Sequence, residues 1–367
     1  MIKTNYDDCI VNLSNSILKH FTGQCYHKTL EEADVFLKKD YKNVVVLVLD
    51  AMGKCIIEKN LSENGFFNSH LVKTISSVFP PTTVAATTTL QSGLMPCEHA
   101  WLGWDCYYPQ IDKNVTTFLN VNQGTDIPAA DINVALTYTP YKPIVDIINE
   151  NGGNAYNAMP YLEPYPDTFE KICDRIRELC KEPQKKYIYA YWYEPDSTMH
   201  VKGCYVKDSV DVLRNLEKQV NELTNELENT LLIITADHGH IDAKNALITD
   251  YPELVDCLIR MPSIEPRAIN LFVKEDKKED FVSLFNKAFG NDFILLTKQE
   301  VIDKHIFGYG NEHKYFKDML GDYLAIGTGK LGIFNTKEEY ERFIGHHAGM
   351  SYDELLVPLI VVETEKN

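Results

Sequence analysis

A chain of 367 residues with 44% hydrophobic and 24% charged side chains can bury a large core, which excludes disordered, collagen-like and coiled-coil proteins. Its 36 Lys and Arg against 53 Asp and Glu give a formal charge of -17, which argues against a nucleic-acid polymer as partner. Small anionic substrates stay open where bound cations invert the local field.

No apolar run reaches the ~20 residues that span a bilayer, and MIKTNYDDCIVNLSNSI lacks the apolar stretch of a secretory signal, so no membrane association is expected. Nine cysteines stand singly, without a CxxC pair, and read as reduced thiols of a cytoplasmic protein.

In chain order, VVVLVLD (44–50) is the first short β-branched run and predicts a strand buried on both faces. In FPPTTVAATTTLQSG (79–93) the prolines end a strand and a helix starts at Thr82. The segment EHAWLGWDCYYP (98–109) reads as an aromatic loop. Helices follow at 143–152 and 167–179, then a strand in KYIYAYWYEPD (186–196). In 208–228 Leu213, Leu216, Val220, Leu223 and Leu227 step by three and four, the pattern of a helix packed on a sheet. The third buried strand is NTLLIITADHGH (229–240).

Between 259 and 342 the texture changes to short αβ alternation, before a last strand in VPLIVVE (357–363). The expected fold is a doubly wound, mostly parallel α/β sheet flanked by helices, with a small inserted α+β lobe. Residues 1–258 and 343–367 would form the catalytic core, and 259–342 a cap over it.

Ligands in open α/β sheets bind beyond the carboxyl ends of the strands, where the three apolar runs place Asp50, Asp196 and Asp237. A single acid there often only caps a helix. Two of these acids have histidines at useful spacing. Asp196 and His200 are i, i+4 on a helical turn and can converge on one cation. Asp237 and His238 can both enter one cleft from the turn leaving their strand. Carboxylate and imidazole ligands without cysteine suit zinc or manganese. Thr82 or Thr83, at a helix N-terminus, is a candidate nucleophile, whereas Thr87, Thr88 and Thr89 read as a polar helix face. In GHHAGMSYDE (345–354) His346 and His347 can solvate a loop or add to the site.

The ordered set VLVLDAMG, FPPTTVAATTTLQSG, YWYEPDSTMH, ITADHGH and GHHAG resembles the alkaline phosphatase superfamily, within it the type I phosphodiesterase/nucleotide pyrophosphatase branch. The resemblance implies two divalent metals, zinc or manganese, flanking a threonine nucleophile. It assigns Asp50, Thr83, Asp237 and His238 to one metal and Asp196, His200 and His347 to the other. Thr83 is preferred to Thr82 by its offset from Gly93, and His347 to His346 by the family's Gly-x-His-Gly-Gly pattern, from which Ala348 departs. His240 matches no ligand position and is expected in a loop or behind the ligands.

An asparagine that this branch uses to hold a phosphoryl oxygen is absent, with Gly103 and Trp104 near its place. Trp101, Trp104, Tyr107 and Tyr108 are candidates for an aromatic substrate wall, and Lys202 and Arg267 for basic contacts, unless they are plain surface. The implied activity is two-metal hydrolysis of a small phosphodiester or pyrophosphate-type substrate, nucleotide-like among others, through a phosphothreonine. The alternatives on the same core are a phosphomonoester or phosphonate hydrolase and a metal-dependent phosphomutase.

Overall fold

A computed structural model describes residues 3–365 and contains two main sheets. The first has six strands in the order Leu71–Ser76, Leu356–Thr364, Thr230–Thr235, Asn43–Leu49, Lys186–Trp192, Ala155–Ala158. Asn43–Leu49 lies at its centre, pairs in parallel with a strand on each side, and is buried at all seven positions. Its run of Val and Leu from 44 to 49 follows from that location, because helices cover both faces of a parallel sheet and favour apolar side chains along its middle. Leu356–Thr364 runs antiparallel to both neighbours, so the sheet is mostly parallel, as expected.

Helix Lys207–Thr224 buries Leu213, Leu216, Val220 and Leu223, and the same core holds the central strands. Each such side chain contributes about 1.5–3 kcal/mol on leaving water, which is why this stripe faces the core. The helix Phe169–Lys181 beside it starts at Thr168, whose side-chain oxygen accepts a hydrogen bond from the Lys171 N–H at 3.3 Å. Among the described residues no helix is long and apolar enough to cross a membrane.

The second sheet has seven short strands in the order Phe293–Thr297, Tyr323–Gly327, Ala268–Leu271, Ser263–Glu265, Asp105–Tyr108, Lys113–Thr116, Val121–Asn122, and its pairs are antiparallel. Phe281, Phe285 and Phe289 of one helix pack with Phe293 in a smaller separate core beneath it. Three of the strands come from 105–122, so part of the expected aromatic loop is extended backbone. Four residues with alternating burial at Asp105–Tyr108 are too short to stand out in sequence as a strand.

Candidate metal centre

The parallel strands deliver their acids to one place. Asp50 follows the central strand, Asp237 follows Thr230–Thr235, and Asp196 opens the helix Asp196–Lys202 after Lys186–Trp192. Two turns lie backbone against backbone to make this possible. A Cβ on Gly239 would stand 1.9 Å from the Asp353 carbonyl, and one on Gly53 would stand 2.4 Å from Gly239 Cα, so glycine is required at both. Asp237 is anchored by the Ala51 N–H, which donates to its Oδ1 at 3.0 Å.

Around Thr83, the first residue of helix Thr83–Ser92, three expected ligands meet. Thr83 Oγ1 lies 3.4 Å from Asp50 Oδ2 and 3.2 Å from His238 Nε2. His238 Nε2 is 3.2 Å from Asp50 Oδ1 and 3.6 Å from Asp237 Oδ2. The His238 Nδ1–H donates to the Gly239 carbonyl at 2.9 Å, which turns Nε2 toward the carboxylates.

Beside this group is a second one. Asp196 Oδ1 is 3.4 Å from His200 Nε2, 3.2 Å from His240 Nε2 and 4.0 Å from His347 Nε2. The ligand atoms of these four residues all lie within 4.8 Å of one another, and the same holds for Asp50, Asp196 and His238, so Asp196 joins the two groups. His200 is oriented like His238, with Nδ1 donating to the Gly345 carbonyl at 2.9 Å.

The seven residues expected as ligands are thus gathered in one cleft, and His240 joins them. Its Nδ1 is 3.4 Å from the sulfur of buried Cys204. His346 lies apart, buried with its ring against Phe334, and burial pushes it down to about 2. Tyr191, hidden in the apolar strand run, donates its hydroxyl to Asp50 Oδ2.

The electrostatics fit divalent cations. Asp50 Oδ1, Asp196 Oδ1, Asp237 Oδ2 and His240 Nε2 are buried without hydrogen-bond partners. Burial, then repulsion from neighbouring carboxylates, raises Asp50 and Asp237 above the usual carboxylate range. Burial also pushes His240 and His347 well down, and neighbouring histidines add to it. Burial acts the same way on His238, but Asp237 and Asp50 outweigh it and hold His238 at about 10. Carboxylates that resist ionising, His240 and His347 held neutral, and a His238 that takes up a proton between two acids form a donor set short of positive charge.

The four candidate wall residues do not share one surface. Trp101 is buried with its indole N–H donating to the Thr139 carbonyl, and Tyr108 is buried outright. Tyr107 packs on Phe272 under Arg260, and Trp104 is 38% exposed. Arg267 is not surface: it is fully buried, and its guanidinium donates to both Glu354 oxygens at 2.7 and 2.9 Å. Lys202 is exposed at its helix end. A residue that sequence reasoning did not single out reaches this region from the second sheet. Glu265 Oε1 accepts hydrogen bonds from the Thr82 hydroxyl at 2.5 Å and the Trp104 N–H at 2.9 Å.

Residues 44–347 match the family described as type I phosphodiesterase / nucleotide pyrophosphatase. No curated protein matches significantly. Among solved structures, murine ectonucleotide pyrophosphatase/phosphodiesterase 5 is 18% identical over 88% of each chain, with a TM-score of 0.66. A second murine structure of it, 17% identical over 89% of this chain and 88% of that one at a TM-score of 0.65, is an inactive threonine-to-alanine variant in complex with AMP. Phosphonoacetate hydrolase from Sinorhizobium meliloti 1021, in complex with phosphonoformate, is 13% identical over 86% of this chain and 89% of that one, at a TM-score of 0.62. These likenesses concern the fold, while the match over most of the sequence decides the family. The chain belongs to the type I phosphodiesterase/nucleotide pyrophosphatase family and is a metal-dependent phosphoester hydrolase.

Proposed function

We propose that this enzyme hydrolyses phosphodiester or pyrophosphate-type bonds of small substrates through a phosphothreonine on Thr83. The observation that carries this reading is the Thr83 hydroxyl at the start of its helix, 3.4 Å from Asp50 and 3.2 Å from His238. A threonine hydroxyl is a weak nucleophile alone and needs an activating neighbour. One divalent ion, zinc by preference and manganese as the alternative, would be held by Asp50, Thr83, Asp237 and His238, and another by Asp196, His200 and His347. Such ions supply positive charge that favours the threonine alkoxide and offsets charge on the phosphoryl oxygens.

The helix N-terminus orients Thr83 and adds free N–H groups for an anion. Thr83 Oγ1 attacks phosphorus as the bond to the leaving group breaks on the opposite side. Water then cleaves the threonine ester and returns the hydroxyl. That a threonine-to-alanine variant of the murine relative is described as inactive supports this role. Its complex with AMP supports a nucleotide-type substrate. The engagement of Arg267 by Glu354 supports diesters over monoesters, because a dianionic phosphoryl group needs additional cationic contacts. Residues 259–342 would restrict the size of the substrate, and the nine free thiols support a reducing, cytoplasmic setting.

The test is a paired assay of bis-p-nitrophenyl phosphate and p-nitrophenyl phosphate at one pH with zinc or manganese, together with mass spectrometry of acid-quenched enzyme. Faster diester cleavage and a phosphate adduct on Thr83 are expected. A clear monoester preference would replace this reading with the monoesterase or phosphonatase one.

A further inference from the structure

Glu265 belongs to the second sheet, yet its carboxylate is fixed at the start of the nucleophile helix. Its Oε1 accepts the Thr82 hydroxyl at 2.5 Å, one residue before Thr83, and the Trp104 N–H at 2.9 Å. Its Oε2 makes no hydrogen bond, and no cation pairs with it, among the described residues. The backbone that delivers it is strained. Ile264 sits at φ 77°, a left-handed conformation that is a genuine outlier for a β-branched residue. Such strain persists only where the surroundings over-determine it. Here the surroundings are the Gly103 turn: a Cβ on Gly103 would come within 2.8 Å of Ile264 Cγ2 and 3.0 Å of its carbonyl oxygen. Strand Ser263–Glu265 is therefore pressed onto the turn before Trp104, and Glu265 is held from two sides.

Its surroundings make the negative charge costly, so that it is fully carried only above neutral pH. Burial, the largest influence, lifts Glu265 to about 7, and Asp105 adds to this. Asp105 is itself pushed up to about 6, chiefly by burial. Unlike Glu265, it has both oxygens occupied, by Thr116 at 2.6 Å and Gln123 at 3.0 Å. Glu265, half-buried, thus has an unused oxygen next to the nucleophile segment.

We infer that Glu265 is a specificity-determining residue, a fixed carboxylate that discriminates against dianionic phosphoryl groups and favours singly charged diesters. The inference rests on the proposed reaction at Thr83. Its physical basis is that two negative charges in a partly desolvated cleft repel more strongly than in water, and a monoester or free phosphate carries one more charge than a diester.

The test compares zinc-loaded wild type, Glu265→Gln and Glu265→Asp at about pH 8.5, where the Glu265 carboxylate is charged, in two measurements. The first is the ratio of kcat/KM for p-nitrophenyl phosphate to that for bis-p-nitrophenyl phosphate. The second is the affinity for inorganic phosphate by calorimetry, which needs no turnover. Glu265→Gln keeps the hydrogen-bond acceptor but removes the charge, and is expected to raise the ratio and tighten phosphate binding, each roughly tenfold. Glu265→Asp, which keeps the charge, should hold both near wild type. Both quantities unchanged in Glu265→Gln, or both esters slowed in parallel with no gain in phosphate affinity, would overturn the inference in favour of a purely structural strut. A wild type that prefers the monoester, with the gain still seen in Glu265→Gln, defeats the diesterase reading and leaves this one standing. If neither ester turns over, the phosphate titration decides.

Discussion

The two sheets of this molecule are built on opposite terms. The six-stranded sheet takes its centre from continuous apolar runs such as Asn43–Leu49 and Lys186–Trp192, each buried at every position. The seven-stranded sheet is assembled from pieces of two to five residues, drawn from 105–122 and 263–327, and exposed in part. The first carries Asp50, Asp196 and Asp237 of the candidate metal cluster just beyond its strands. The second brings groups such as Glu265 up to that cluster from outside. A rigid, doubly covered sheet can hold ligand atoms to fractions of an ångström, and a half-exposed sheet of short strands can vary its loops without disturbing them.

The sharpest test of this division is Thr83→Ala. Turnover should fall at least ~1000-fold while elemental analysis still finds close to two metals per chain, because in the proposed reaction the hydroxyl would be one ligand among several but the sole nucleophile. Thr82→Ala, which touches the second sheet through Glu265, should cost far less activity. The reverse outcome would move the chemistry to Thr82.

Next is the seam between the regions. Arg267, in the second sheet's segment, donates to Glu354, which also accepts from the Gly349 N–H at 2.7 Å and the Ser351 hydroxyl at 2.6 Å, just after His347. Arg267→Met strands a buried carboxylate and should lower stability by about 3–5 kcal/mol in urea melts. A loss under 1 kcal/mol would mean that the two regions are only loosely joined.

How far could these regions be read before the fold was known? Asp50, Asp196 and Asp237 were legible because each closes an apolar run, and His200 because i+4 places it over Asp196. His240 escaped because nothing local says that a residue two beyond His238 turns back toward Asp196 at 3.2 Å. Tyr191 was concealed by its apolar neighbours. Glu265 was illegible in principle, since its reach depends on Ile264 adopting a conformation that sequence pattern disfavours. The strands at 105–108 and 113–116 pair with each other as a local hairpin, tied to 263–265 through a single residue pair, and runs of four residues have too little periodicity to stand out.

A smaller effect concerns pH. His99 is fully buried, accepts the Trp101 N–H on Nδ1 at 3.0 Å, and has Nε2 3.1 Å from the Thr89 hydroxyl. Burial holds it down at about 3. Its unfolded value is higher, about 6.5, so at intermediate pH the unfolded chain binds a proton that the folded chain refuses. Its contribution is therefore fully present above pH 6.5 and is lost as pH falls toward 3. Between pH 6.5 and 5 the loss should approach about 2 kcal/mol, and the His99→Gln variant should show a correspondingly flatter stability profile in urea titrations. An identical slope in both proteins would remove His99 from the account.

The smallest effect lies in the first region alone. Thr168→Ala removes the cap of Phe169–Lys181 and should cost about 1 kcal/mol without altering kinetics on either ester. A change in the ester preference would show that this helix is coupled to the cleft.

The position of strand Leu356–Thr364 imposes an order of assembly. It lies between Thr230–Thr235 and Leu71–Ser76, so these two early strands have no partner in common until a segment more than a hundred residues later arrives to bridge them. The same arrival draws in the loop that bears His347, a few residues upstream. During synthesis, the ligand sphere around Asp196 and the edge of the main sheet would thus close together and late, so that a nascent chain carrying Thr83 and Asp50 has no finished catalytic site to expose.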